Sequence, residues 1–160
     1  MCSSDLLITS SCVHEIDITR WLLGEEIVAA TVRAPRSSRQ APAGLLDPQL
    51  VLLETASGVL IDVEVFVNAR YGYDIRCELV GEHGAVRLDE QVAPDFRARF
   101  ATAYQRELDA WVRGARNGGA DGPTAWDGYA ANAVADACLA SLASGERAGV
   151  ELAERPALYV

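Results

Sequence analysis

Ser10-Ser11-Cys12-Val13-His14-Glu15-Ile16-Asp17-Ile18-Thr19-Arg20-Trp21-Leu22-Leu23-Gly24 decides how the rest of the chain is read. The stretch predicts one helix, with Ser10 or Ser11 capping its first free N–H groups and Gly24 ending it. His14, Asp17, Ile18, Trp21 and Leu22 recur at i, i+3, i+4, i+7 and i+8, so a titratable pair shares a face with bulky apolar residues. A second stripe, Val13, Ile16, Arg20 and Leu23, is apolar but for one arginine. Such a helix is expected to be covered on most sides, with its polar residues paired. His14, one of only two histidines, is then the candidate for proton chemistry, because imidazole changes charge near neutral pH. Spacing alone leaves a second reading open, in which His14 and Asp17 are a structural pair satisfying each other. Asp17 and Arg20, also at i, i+3, fit a plain ion pair.

Working outward, residues 6–9 (Leu-Leu-Ile-Thr) read as the tail of a strand or an extended approach, and Ile27–Arg33 as a strand rich in β-branched residues. Residues 34–48 hold three prolines, two serines and a glycine and form a loop. Residues 50–55 and 59–68 predict a hairpin around Ala56-Ser57-Gly58. In its second arm Ile61, Val63, Val65 and Val67 alternate with Leu60, Asp62, Glu64, Phe66 and Asn68, so one face packs on helices and the other is mixed. A further strand over 73–80 turns at Gly81-Glu82-His83-Gly84 into 85–88, with His83 in solvent. Residues 94–116 predict an amphipathic helix burying Phe96, Phe100, Tyr104, Leu108, Trp111, Val112 and Ala115, and ending at Asn117-Gly118-Gly119. Thr124 caps a last helix, with Asp127 completing a capping box; Val134, Ala135, Cys138, Leu139 and Leu142 form its core face and Gly145 its end. Residues 150–152 add an edge strand. The fold class is α+β: an antiparallel meander with helices packed on one face.

The totals narrow the function classes. At 160 residues the chain is about one domain. A formal charge of −9 without a basic cluster argues against a nucleic-acid or anionic membrane surface. No apolar run approaches the roughly 20 residues needed to span a bilayer, and the start lacks the pattern of a signal peptide. Cys2, Cys12, Cys77 and Cys138 are scattered without C-x-x-C spacing, which points to reduced thiols, a cytoplasmic setting and no metal site. There is no G-x-G-x-x-G after a strand, no phosphate-binding P-loop and no G-x-S-x-G elbow, so a nucleotide cradle is not encoded here.

Residues 13–24 closely resemble the active-site helix of the Gfo/Idh/MocA (glucose–fructose oxidoreductase/inositol dehydrogenase) family. Residues 69–78, Ala-Arg-Tyr-Gly-Tyr-Asp-Ile-Arg-Cys-Glu, resemble the sheet segment flanking that family's substrate, and 81–88 its G-x-x-G turn. Residues 100–104 and 123–131 also match, the latter most like the inositol 2-dehydrogenase branch. The matches run in order over nearly the whole chain, from about residue 7 to 152.

The resemblance implies the family's carboxy-terminal, substrate-binding domain over residues 7–160. Its Rossmann domain, which holds NAD or NADP and supplies a catalytic lysine, is absent from these residues. Residues 1–6 resemble a translated sequencing adapter, and the expectation is a reading frame that begins inside a longer gene. In the parent enzyme a polyol or sugar carbon passes a hydride to the nicotinamide while His14 accepts the hydroxyl proton. The family's usual carboxylate four residues before this histidine is Ser10 here, so orientation of the ring falls to Ser10 or to Asp17. Tyr71 and Tyr73 flank Gly72 and carry hydroxyls suited to a sugar-like ring, although Tyr73 also fits a half-buried sheet position. Trp126 and Asp127 fit a pocket rim or a helix start. Residues 87–95 are shorter than the family pattern. Homo-oligomers through the open sheet face are expected of the parent, and no NAD binding of these 160 residues alone. The competing reading is a non-catalytic α+β module that binds a small ligand or mediates dimerisation.

Overall fold

The computed structural model describes residues 3–88, 91–119 and 121–159, in two compact units. The first comprises residues 1–68 and 123–160, the second residues 69–122.

The first unit is built on a four-stranded antiparallel sheet. Strands β1 (Ile27–Arg33), β2 (Gln49–Thr55) and β3 (Leu60–Val65) follow each other as a meander, and a two-residue strand β6 (Ala148–Gly149) pairs the free edge of β1. Pairing of Val32 with Val51 and of Val51 with Val63 stacks three β-branched side chains across the inner face. Ala30, Leu53 and Ile61 form the next rung. This period-two burial is what the alternating sequence demands, since a one-residue slip would turn the whole set outward. The outer face carries Val28, Leu50, Leu52, Leu60 and Phe66, all exposed, interleaved with Asp62 and Glu64.

Two helical segments cover the inner face. Helix α4 (Ala125–Ser144) buries Ala131, Val134, Ala135 and Cys138 against it, beside Cys12 and Ile16 of the N-terminal helical segment. Because β6 is so short, the Val32 N–H extends past its end. Ser141 on α4 accepts that hydrogen at 2.9 Å, filling a gap that would otherwise leave a buried donor unpaired. Gly24 and Gly145 end their helices in the left-handed conformation, at φ 65° and 75°, as the sequence predicts. The Asp127 carboxylate accepts from the Thr124 N–H and hydroxyl at 2.7 and 2.8 Å, confirming the cap.

Four expectations in this unit are corrected. Ser10 and Ser11 cap nothing. Helix begins earlier, as α1 (Ser3–Leu6), passes through a π-helical turn (Leu7–Cys12), and continues as α2 (Val13–Leu23). The apolar run at 6–9 is therefore helical, since Leu7, Ile8, Cys12 and Ile16 recur on one side and all are buried. Nor is α2 covered on most sides: only its inner stripe is buried. The predicted edge strand at 150–152 lies two residues earlier, and Val150 donates one further hydrogen bond to the Val28 carbonyl.

In the second unit, strands β4 (Glu78–Gly81) and β5 (Gly84–Arg87) form a separate hairpin. Residues 73–77 are not a regular strand. Tyr73 makes a single bridge, exchanging hydrogen bonds with Ala93 at 2.7 and 2.9 Å. Gly72, at φ 136°, has to be glycine, because a Cβ there would meet the Val92 side chain at 2.5 Å and the Ala93 carbonyl at 2.9 Å. Helix α3 (Phe96–Asn117) is capped by Asp95, whose side chain accepts from the Ala98 N–H. Its predicted buried stripe is not covered: Leu108 is 63% exposed and Trp111 68%. The amphipathic period is real, but only Gly114 of this helix is buried. Residues 1, 2, 89, 90, 120 and 160 lie outside the described residues, so the adapter-like start and the shortened 87–95 connection are described only in part.

Truncating Leu53, a fully buried residue on the middle strand β2, is expected to cost about 2–5 kcal/mol as Leu53→Ala. Ser141→Ala should cost about 1–3 kcal/mol by orphaning the Val32 N–H. Urea unfolding followed by circular dichroism measures both.

Candidate functional site

Helix α2 presents two chemically different faces. Val13, Ile16, Arg20 and Leu23 turn toward the core, with Ile16 fully buried. His14, Ile18, Trp21 and Leu22 are exposed on the outer stripe, Trp21 by 74%, and Asp17 is half-buried between the two. The imidazole of His14 is thus open to solvent in this chain rather than aimed into a pocket formed by it. Ser10 is exposed in the π-helical turn that precedes His14. Ser10, His14 and Asp17 therefore share one helical segment, and the irregular turn sits directly before the histidine. Such turns recur where a helix presents functional side chains.

Arg20 anchors this helix. Its Nε and Nη2 donate to the two carboxylate oxygens of Glu26 at 2.7 and 2.8 Å, a bidentate fork. Asp17 Oδ1 lies 3.5 Å from Nη1, and Asp127 Oδ1 lies 3.6 Å from Nη2. Nη1 also donates to the Asp127 carbonyl at 3.4 Å. The hydrogen bond to Glu26 holds the guanidinium even more firmly protonated than usual. Glu26 in turn is held below the ordinary glutamate range by those hydrogen bonds, which outweigh its partial burial. Burial works against charge on Asp127, yet Thr124 and Arg20 hold it below the usual aspartate range. Burial dominates at Glu15, beside His14, and raises its carboxyl, with the His14 charge opposing.

The sequence names Asp17–Arg20 as an ion pair, and it is one. Pairing with Glu26 and Asp127 was not legible, because nothing in local spacing links position 20 to position 127. Trp126 is buried and donates from Nε1 to Glu26 at 3.4 Å, so it serves the helix start and this network.

The remaining predicted site residues lie in the second unit. Tyr71 is exposed, and its hydroxyl donates to Asp74 Oδ2 at 3.0 Å. Arg76 pairs with the same carboxylate through Nε at 3.0 Å and through Nη2. Asp74 was not singled out from the sequence, although its place three residues after Tyr71 is the only available signal. Tyr73 is half-buried and packs edge-on against Phe96 and Phe100, with ring centroids 6.5 and 6.0 Å apart, as the half-buried alternative for it expects. Among the described residues no group of three His, Cys, Asp or Glu side chains is placed to hold a metal. No described helix is long and apolar enough to cross a membrane. Cys12, Cys77 and Cys138 are free thiols; burial pushes Cys138 up to about 12 and Cys12 further still.

The chain is similar to known proteins. The Gfo/Idh/MocA family described as "Oxidoreductase family, C-terminal alpha/beta domain" matches residues 7–152. Inositol 2-dehydrogenase 1 of Saccharopolyspora erythraea is 57% identical over 165 residues, covering 94% of this chain and 49% of that protein. An inositol 2-dehydrogenase of Streptomyces avermitilis is 51% identical over 171 residues, covering 98% of this chain and 50% of that protein. The crystal structure of myo-inositol dehydrogenase from Lactobacillus casei in complex with NAD(H) and myo-inositol is similar at a TM-score of 0.91 and 33% identity. That likeness covers 99% of this chain and 52% of the other. The chain spans about half the length of the curated relatives it matches.

The two signs of carboxylate shift separate experimentally. Glu26 has a folded value below its unfolded one, so its contribution to stability is present above pH 4.5 and is lost as pH falls through the folded value. Glu15 has the opposite sign, stabilising below pH 4.5 and losing that as pH rises. Glu26→Gln should flatten the acid limb of a melting-temperature–pH curve, whereas Glu15→Gln should raise the melting temperature at pH 7 and leave it unchanged at pH 3.

Proposed function

We propose, since the chain belongs to the Gfo/Idh/MocA oxidoreductase family as its C-terminal alpha/beta domain, that it is the substrate-binding half of an NAD(P)-dependent dehydrogenase acting on a polyol of the inositol type. The observation that carries this is an imidazole, His14, on the uncovered stripe of α2, in a chain 57% identical to an inositol 2-dehydrogenase. NAD(P), when bound, supplies the hydride acceptor. Its cradle belongs to residues outside these 160, which encode no glycine-rich phosphate loop. The apolar surroundings of His14 (Ile18, Trp21 and Leu22) fit a surface that a second, cofactor-bearing body covers, which would also exclude water from the reacting centre.

In this reading a ring nitrogen of His14 takes the proton of the substrate hydroxyl as the carbinol carbon loses its hydride. Neutral imidazole is suited to that task near neutral pH. Asp17, one helical turn away, orients the ring and compensates the charge that the ring acquires. Ser10 stands where the family's usual carboxylate is expected and offers a hydrogen bond without charge. Within the second unit, Tyr71, its hydroxyl held by Asp74, and Tyr73, packed on Phe96 and Phe100, are the residues that the family resemblance assigns to polyol binding. The free thiols support a reducing, cytoplasmic setting. Self-association through the outer sheet face is supported by the exposed Leu50, Leu52, Leu60 and Phe66.

The full-length gene product, assayed with inositols and sugars by absorbance of reduced nicotinamide, is expected to oxidise an inositol. His14→Ala should lower kcat/KM by about 10²–10⁴-fold, and Ser10→Asp should raise activity. Retained turnover in His14→Ala, or no polyol oxidised by the parent, rejects the reading and favours a non-catalytic module. For the sheet face, light scattering should find an oligomer of the full-length protein that Leu52→Glu dissociates.

A further inference from the structure

Among the described residues Arg20 is the buried cation, only 7% exposed, and a lone guanidinium in that position would be costly without compensation. Its surroundings are more specific than neutralisation requires. Glu26 fixes the fork from the chain just after α2, and itself accepts from Trp126 Nε1. Asp127 approaches from the first turn of α4, its other oxygen already engaged by the Thr124 N–H and hydroxyl. Glu26 and Asp127 thus each have a second donor. Asp17 differs. Among the described residues its polar partner is Arg20 alone, at 3.5 Å, and it is the one of the three carboxylates that sits a helical turn from His14.

A half-exposed aspartate without an anchor samples several rotamers, and ordering it by an already fixed fork costs little further entropy. The fork reaches from the inner stripe of α2 toward the outer one. It therefore links Asp17, one helical turn from His14, to the loop after α2 and to the first turn of α4. A purely structural arginine would join α2 to α4 equally well with no carboxylate at position 17.

We propose that Arg20 is a positioning residue: pinned by Glu26 and Asp127, it holds the Asp17 carboxylate in a fixed orientation one helical turn from His14. This rests on the dehydrogenase reading for its catalytic consequence, but not for the coupling itself. The atoms that couple all belong to the first unit.

The test uses the 160-residue chain carrying His83→Gln, so that His14 supplies the only imidazole signal, observed by ¹H–¹⁵N NMR at one fixed pH. Arg20→Met is expected to displace the His14 ring resonances, and Arg20→Lys, which keeps charge but loses the fork, to displace them less. Adding Asp17→Asn should abolish most of the Arg20→Met displacement, the mark of a coupled pair. Unmoved resonances, or an equal displacement with and without Asp17→Asn, overturn the proposal. Amide dispersion reports folding. Should Arg20→Met unfold, Asp17→Asn and Arg20→Lys carry the test, because both must move the His14 signals in the same direction. In the full-length enzyme Arg20→Lys should lower kcat on inositol about tenfold, with KM for the nicotinamide unchanged. Absence of all dehydrogenase activity there would defeat the functional reading, while the NMR coupling would still decide the role of Arg20.

Discussion

The fork between Arg20 and Glu26 sets the terms for the first unit. A guanidinium on the inner stripe of α2 is admissible only if anions come to it. Helix α2 therefore has to stop where Glu26 can fold back, and Gly24 in the left-handed conformation allows that reversal one turn after Arg20. The first turn of α4 then has to end beside α2, because Asp127 completes the cage while also closing its own helix start. One charged contact thus fixes the reversal after α2 and the approach of a helix more than a hundred residues away. The hydrocarbon around it, Ile16 with Val134 and Cys138, adds burial but no comparable direction.

Local patterns were legible wherever one residue type had one physical meaning. Strand β1 matches its predicted bounds, since a β-branched run between two turn signals has no competing reading. The hairpin of β2 and β3, the capping box at Thr124 and the glycine stops followed in the same way. Errors arose where a short apolar run fits two periods. Residues 6–9 read as extended because four residues cannot separate alternation from a helical stripe; only the longer series Ile8, Cys12, Ile16 does. Residues 73–77 alternate cleanly, yet Gly72 and the single bridge to Ala93 take the chain out of a regular ladder. On α3 the period was right and the coverage was not. Amphipathicity says which side of a helix would be buried, and is silent about what buries it.

The same division runs through the candidate site. That His14 and Asp17 share a side of one helix follows from spacing alone. The π-helical turn before them does not, because it depends on a ladder shift that no residue type announces. The clasp of Asp74 on Tyr71 is short-range and within reach of sequence reasoning, whereas the path from Arg20 to Asp127 joins residues that become neighbours only when α4 docks. Sequence therefore points to the candidate proton acceptor sooner than to the contacts around it.

The first unit leaves two apolar surfaces uncovered, on opposite sides of its two layers. The outer sheet face is broad and mixed, its leucines interleaved with Asp62 and Glu64, as suits contact with an identical face when charges are offset. The outer stripe of α2 is narrow, carries a large indole, and sets an imidazole among hydrocarbon. A copy of the same stripe would bring two imidazoles and two Asp17 carboxylates together, at a cost that hydrophobic contact alone would have to offset. A different body, bearing a flat apolar ring and a hydride acceptor, meets that stripe without the penalty. The two partners proposed for this domain, a second copy and a cofactor-bearing body, thus have separate surfaces to meet.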